Sequence, residues 1–287
     1  MDQHYRLRVY ARLLRLQSPI GCFLLLWPTL WALWLAGNGH PSFNLVFLFI
    51  VGTFLMRGLG CVVNDIADRN FDGFVARTKN RPLATGEISL KEALGLLLFL
   101  CVLALCLVLQ FNHLTITLSF VGLALTMVYP YTKRFTYWPQ WVLGLAFSWG
   151  IPMAFAAQTN HVPGFAWLLF ISASLWPLAY DTLYAMVDRN DDKKIGVKST
   201  ALFFSQHDRL FIAVVQMCFI VLLAWFGYLR KLHHFFYLGL SVAAGLLGYQ
   251  QYLIKDRKPE RCFKAFLNNT WVGASIFLAF FLGIRPL

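Results

Sequence analysis

Residues 43–72 read FNLVFLFIVGTFLMRGLGCVVNDIADRNFD. From 43 to 63 only Asn44, Thr53 and Arg57 interrupt an otherwise apolar or glycine run. An α-helix rises about 1.5 Å per residue, and about 20 apolar residues cross a bilayer core. The run therefore predicts a membrane-crossing helix. At its end the composition inverts, with Asn64, Asp65, Asp68, Asn70 and Asp72 following within a few residues. On a continued helix Asp65, Asp68 and Asp72 stand at i, i+3 and i+7, which is one face.

The same alternation extends along the chain. Further apolar stretches fall at 17–36, 91–110, 114–131, 139–157, 163–183, 210–228, 236–254 and 266–284. Of the 287 residues, 59% are hydrophobic and 13% charged. Soluble domains run at about 45–50% apolar and about 25% charged. The expected fold is an all-α integral membrane protein, with about nine transmembrane helices in one bundle. A single domain spans 1–287, since no polar stretch is long enough for a second. The stretch at 20–36 carries Trp27, Pro28, Trp31 and Trp34 after a long basic segment. That favours a retained first span over a signal peptide. Trp27, Trp31 and Trp34 follow helical spacing and read as packing or interface anchors. The six cysteines form no CxxC pair, so they read as small buried hydrophobes.

The net charge of +12 would suggest nucleic acid in a soluble protein. In a membrane protein it reports topology, because Lys and Arg collect in cytoplasmic loops. Segments 37–42, 111–113 and 158–163 hold no Lys or Arg. The N-terminal segment, 65–91, 132–138, 184–209 and 255–265 together hold 21 of the 25 basic residues. The remaining four are Arg57, inside a span, and Arg230, Lys231 and Arg285. This count predicts a cytoplasmic N-terminus and a periplasmic C-terminus, and no nucleic-acid partner.

The acids carry more information. All 13 Asp and Glu fall on the same side, or at that end of a helix. Seven sit in two clusters: Asp65, Asp68 and Asp72, and Asp181, Asp188, Asp191 and Asp192. In the second, Asp181, Asp188 and Asp192 share a helical face. Asp68-Arg69-Asn70-Phe71-Asp72 matches Asp188-Arg189-Asn190-Asp191-Asp192 at an offset of 120 residues. The match suggests two pseudo-repeated halves, with motifs near 64–72 and 181–192. Crowded carboxylates repel unless a cation lies between them. Oxygen donors without Cys or His select Mg²⁺, Mn²⁺ or Ca²⁺. Mg²⁺ commonly combines one or two carboxylates with phosphate oxygens. The bases nearby, Arg77, Lys79, Arg81, Lys133, Arg134, Lys193, Lys194 and Lys198, suit a phosphate.

The run Asn64-x3-Asp68-x3-Asp72, followed by Arg77-Thr78-x2-Arg81-Pro82-Leu83-x2-Gly86, resembles the signature of the UbiA prenyltransferase superfamily. Tyr180-Asp181-Thr182-x-Tyr184-Ala185-x2-Asp188-x3-Asp192 is similar to its second acidic motif. Further blocks resemble its bacterial 4-hydroxybenzoate polyprenyltransferase branch in ubiquinone biosynthesis. These are residues 26–34, 60–63, 151–156, 198–201 and 262–266, so the likeness covers nearly the whole chain. The resemblance implies a nine-helix bundle in the bacterial inner membrane, with its active site at the cytoplasmic side. It implies Mg²⁺ dependence and two substrates, a polyprenyl diphosphate and 4-hydroxybenzoate. The latter would be prenylated on the ring carbon next to the hydroxyl.

Roles follow from that resemblance. Asn64, Asp68 and Asp72 would hold one Mg²⁺, and Asp188 and Asp192 another. Asp65 and Asp191 would assist, and Asp181 would orient a partner or steer the phenol. Arg77, Arg81, Lys133 and Lys194 are candidates for the diphosphate. Arg57 precedes Asn64 by seven residues and shares its face. A charge inside a span costs several kcal/mol unless it is paired. Two readings stay open for Arg57: a bidentate clamp on the aromatic carboxylate, or a structural salt bridge to Asp65 or another acid. Tyr129 and Tyr131 read as interface residues, with a contact to an allylic cation as the alternative.

Two rivals are weighed. A CDP-alcohol phosphatidyltransferase motif would need acids at Arg69, Leu90 and Leu94, and fails there. A cation channel or transporter needs polar groups through the full membrane depth. Here no acid lies mid-span.

Overall fold

The computed structural model describes residues 3–284. Asp2, Arg285 and the C-terminus, for which the charge count makes predictions, lie outside the described residues. The elements run α1 Gln3–Leu13, α2 Ile20–Ala36, α3 Phe43–Asp68, α4 Leu90–Val108, α5 His113–Thr132 and α6 Pro139–Ser148. They continue with α7 Gly150–Thr159, α8 Gly164–Ile195, α9 Thr200–Phe204, α10 Asp208–Leu229, α11 His234–Leu253 and α12 Pro259–Gly283. No strand occurs among the described residues.

Local chemistry sets the helix ends. Ser89 and Glu92 form a reciprocal cap that starts α4. The Asn112 side chain accepts from the Thr115 amide and starts α5. Gly196, at φ 74°, ends α8 in the left-handed conformation. Each apolar stretch read from the sequence falls on helix, with one break. The stretch at 139–157 becomes α6 and α7, joined at Trp149. Pro152 has no N–H to give the Ser148 carbonyl, which interrupts the ladder there. Gly150 lies at the same break, and a methyl on it would overlap the Thr29 side chain of α2.

Among the described residues, six helical stretches are long and apolar enough to cross a membrane: Phe43–Asp68, Leu90–Val108, His113–Thr132, Pro139–Thr159, Thr200–Leu229 and Pro259–Gly283. α2 is apolar but shorter, at 17 residues. The chain is a multi-pass helical membrane protein. Its core lies among α2, α7, α8, α10 and α12, where Trp31, Trp176, Phe219 and Phe280 pack together. Trp31 donates to the Gly273 carbonyl at 3.2 Å, and Trp176 to Asn269 at 2.8 Å. Both indoles therefore bury their rings without stranding an N–H. α4 instead shows Leu94, Leu98, Phe99 and Val102 on its outer surface. In water that patch would be a liability; against lipid tails it costs nothing.

The charged segments meet on one face of the bundle. Arg6 pairs with Glu92 and Arg12 with Glu87, strapping α1 to the first turn of α4 and to the loop before it. The Arg12 guanidinium holds the Glu87 carboxyl below its ordinary value. The Lys198 amide donates to the Lys133 carbonyl at 3.0 Å. Asp208, fully buried, accepts from Arg189 and from Arg257, joining α8, α10 and the loop before α12. Replacing Asp208 by Ala leaves two part-buried guanidinium groups without their carboxylate. The expected loss is about 2–3 kcal/mol, below the fully buried case because both arginines keep some water. A thermal melt of the detergent-solubilised protein checks this. Turnover per folded molecule should hold, because Asp208 lies away from the cavity described next.

Candidate active site

Two helix ends and a loop build the site. α3 ends at Asp68, where the Phe71 amide closes a turn on the Asp68 carbonyl at 2.7 Å. A single 3₁₀ turn, Asp72–Phe74, follows. Asp72 thus leaves the helix, which corrects the reading of Asp65, Asp68 and Asp72 as one continuous face. The turn still returns Asp72 to the neighbourhood of Asp68. The second motif lies wholly within α8, and Asp181, Asp188 and Asp192 share its face as their spacing requires.

The two motifs meet across one cavity of about 770 Å³. Asn64, Asp68, Asp72, Asp181, Asp188 and Asp192 line it, as do Arg57, Arg77, Arg81 and Lys133. Contacts between the motifs are direct. Arg77 grips Asp188 with a bidentate pair, at 2.6 Å and 3.1 Å, and lies over the Tyr184 ring at 4.5 Å. Lys133, just past the end of α5, pairs with Asp68. Arg81 reaches Asp72 at 2.9 Å and Asp65 at 3.1 Å. Burial pushes the Asp72 carboxyl above its ordinary value, with Arg81 working the other way. The other carboxylate oxygen of Asp68, Oδ1, is buried and has no hydrogen-bond partner.

Three residues named from the sequence stand apart from the cavity lining. Asp65 is 1% exposed and faces Arg15 at 2.7 Å as well as Arg81. It orders cations rather than facing a ligand. Asp191 accepts from the Ala76 amide at 3.1 Å and so ties α8 to the loop after α3. Lys194 points outward beside Asp191, with its side chain 75% exposed. One helical turn separates it from Asp191, while Asp192 and Ile195 on the other side of α8 line the cavity.

Arg57 lines the cavity and makes no ion pair or hydrogen bond among the described residues. Asp65, offered above as its salt-bridge partner, is held by Arg15 and Arg81 instead. Around Arg57 lie Asp181, Tyr129 and Tyr180, all within electrostatic reach. The Tyr180 hydroxyl is buried without a partner. Tyr129 lines the cavity, so its interface reading is replaced.

Sequence reasoning missed Arg15 as a site residue and counted it only as a topology charge. It lines the cavity, pairs with Asp65 across 50 residues and adopts φ 54° between α1 and α2. A non-glycine residue in that region is uncommon and tends to mark a constrained site. Its only sequence signal is its position, a few residues before the first span.

The polar groups crowd one end of the cavity. Deeper, the walls are Leu48, Phe49, Leu107, Val108, Phe111 and Met153. The space suits an amphiphile with an anionic head and an apolar tail. Oxygen donors from two elements fit a hard divalent cation whose remaining ligands come from the anion. The uncommitted Asp68 Oδ1 agrees with that fit. No three His, Cys, Asp or Glu side chains form a complete cage among the described residues.

Comparisons with known proteins bear on the family and the fold. The 4-hydroxybenzoate octaprenyltransferase of Nitrosococcus oceani is 57% identical, over 95% of this chain and 95% of that protein. The enzyme of the same name from Coxiella burnetii is 53% identical, over 96% of each chain. Among solved structures, a UbiA homolog from Aeropyrum pernix matches with a TM-score of 0.78 at 22% identity, covering 88% of this chain and 94% of that one. A UbiA homolog from Archaeoglobus fulgidus bound to GPP and Mg²⁺ matches with a TM-score of 0.74 at 19% identity, covering 96% and 99%. At those identities the solved structures speak to the fold. The model of the UbiA prenyltransferase family matches residues 25–281. A helical bundle with two acidic motifs facing across one amphiphilic cavity, matched over that span, belongs to the UbiA prenyltransferase family.

Proposed function

We propose that this chain transfers a polyprenyl group from polyprenyl diphosphate to 4-hydroxybenzoate, on the ring carbon next to the hydroxyl. The products are 3-polyprenyl-4-hydroxybenzoate and diphosphate, a step of ubiquinone biosynthesis. The observation that carries this reading is the junction of the two motifs over a deep apolar cavity. Identity above 50% to proteins named for this activity supports it.

The diphosphate head belongs at the polar end. Arg77, Arg81 and Lys133 now pair with acids, and each exchanges its carboxylate for a phosphate oxygen when the head enters. Arg15 joins them from the N-terminal arm. Lys194, turned outward, is left out of that role. Asn64, Asp68 and Asp72 on one side, and Asp188 and Asp192 on the other, would hold Mg²⁺. When bound, Mg²⁺ neutralises the charge that grows on diphosphate as the allylic C–O bond ionises. The bond's electron pair leaves with the diphosphate. Tyr129 and Tyr184 present ring faces to the cationic fragment. The phenol ring attacks, a C–C bond forms, and a base takes the ring proton. Arg57 clamps the aromatic carboxylate, and Asp181 steers the phenol.

Arg57→Ala should raise KM for 4-hydroxybenzoate by about 30-fold, the size of a lost charged hydrogen bond. KM for the prenyl diphosphate should stay within about twofold. Steady-state kinetics with each substrate varied checks this. Equal effects on both would sink the clamp.

One domain is built from two related halves, with nine crossings, the charged face in the cytoplasm and the C-terminus in the periplasm. The home is the bacterial inner membrane, in line with the distribution of Lys and Arg. A cation channel fits poorly, since the cavity's acids gather at one end and its depth is apolar. Incubating the protein in lipid with octaprenyl diphosphate, labelled 4-hydroxybenzoate and Mg²⁺ tests the function. Label should move into a lipid-soluble product; its absence would count against the assignment.

A further inference from the structure

Arg57 rests against a glycine. A methyl group built on Gly21 of α2 would fall 2.5 Å from Nη2 and 2.6 Å from Cζ of Arg57, and overlap Nε. All three nearest atoms belong to the guanidinium. The other close-packed glycines differ. Gly144 faces the Ser174 backbone and Gly239 faces Ala279, where two helices touch. Gly122, Gly227 and Gly273 face aromatic rings, and Gly283 faces the Phe236 backbone and Cβ. Among the described residues, Gly21 is the one glycine whose close neighbours are atoms of a charged side chain.

Helix propensity does not explain a glycine here. Gly21 lies in the first turn of α2 with ordinary helical backbone, where alanine is the better helix former. The gap therefore serves the side chain that fills it. Arg57 has no carboxylate partner to fix its direction, and contact with the bare α2 backbone supplies one wall of its seat. Both Gly21 and Arg57 line the cavity.

We propose that Gly21 is a positioning residue that seats the Arg57 guanidinium for the carboxylate of the aromatic acid. This rests on the clamp role of Arg57. A methyl at position 21 meets the far end of a flexible side chain, so the helices stay and the guanidinium moves. A displacement near 1 Å is enough to spoil a two-bond grip on a carboxylate. The specificity that Gly21 protects is for an anionic ring substituent.

The test is a double-mutant cycle of Gly21→Ala and Arg57→Ala, on full-length protein in lipid. The substrates are 4-hydroxybenzoate, its neutral methyl ester and a prenyl diphosphate. Gly21→Ala should raise KM for the acid about tenfold and leave the ester and the diphosphate within about twofold. Added to Arg57→Ala, it should change nothing further. If Gly21→Ala has no effect while Arg57→Ala weakens the acid, the clamp stands and the Gly21 proposal falls. If Arg57→Ala itself spares the acid, the clamp falls and takes the proposal with it. An equal effect of Gly21→Ala with and without Arg57 would show plain packing and overturn the proposal. Should Gly21→Ala fail to accumulate in membranes, the double variant should accumulate, because its methyl meets no guanidinium. Failure of both also overturns the proposal.

Discussion

Asp68→Asn should lower kcat by about 10³-fold, with little change in melting temperature. The side chain keeps its shape and loses its charge. Asp68 is almost fully buried, with one oxygen on Lys133 and the other without a partner. An uncommitted buried carboxylate oxygen is costly unless it serves a ligand. The magnitude follows from losing electrostatic stabilisation of a leaving diphosphate in a dry site. A rival explanation makes Asp68 only a neutraliser of Lys133. In that case the Mg²⁺ concentration giving half-maximal turnover should be unchanged in Asp68→Asn, because no metal ligand is lost. The metal role predicts that it rises. Asp188→Asn should cost a similar factor from the opposite wall. The two together should cost little more than either, because the motifs act as a unit.

Withdrawing Mg²⁺ is the second large effect. Chelation should abolish turnover, by at least about 10³-fold, and added Mg²⁺ or Mn²⁺ should restore it. The fold should survive this treatment. Arg77, Arg81 and Lys133 each already hold a carboxylate of the motifs. Those pairs neutralise the acids when no divalent ion is bound, so the melting temperature should shift little. A collapse of the fold on chelation would instead mark a structural metal.

The sequence carried the helices well because lipid allows few alternatives. Backbone polar groups must be satisfied within each span, so a long apolar run such as 43–63 has little choice but helix. The second acidic motif was equally plain, since it lies on one unbroken helix and its spacing translates into a face. The first was not. Asp72 sits beyond the end of α3, and only the turn at 69–71 returns it to the cavity. Spacing arguments cannot see a helix end that no proline or glycine announces. Lys194 looked like its neighbours in composition, yet its position around α8 turns it outward. Arg15 was hidden for a different reason. Its partner Asp65 lies 50 residues away, and pairing across that distance depends on how α1 folds back over α3. The seat of Arg57 against Gly21 is likewise a contact between two helices, and a lone sequence records no such pair.

The central claim is that the two motifs serve one C–C bond-forming step on the phenol ring. The direct measurement uses 4-hydroxybenzoate carrying deuterium on both carbons next to the hydroxyl. The protein is supplied with octaprenyl diphosphate and Mg²⁺, and product, solvent deuterium and diphosphate are quantified together. The account predicts a product that keeps one deuterium, with the other released to water in equal amount with diphosphate. A prenylated product that keeps both deuterium atoms would place the new bond away from those two carbons, and would contradict it.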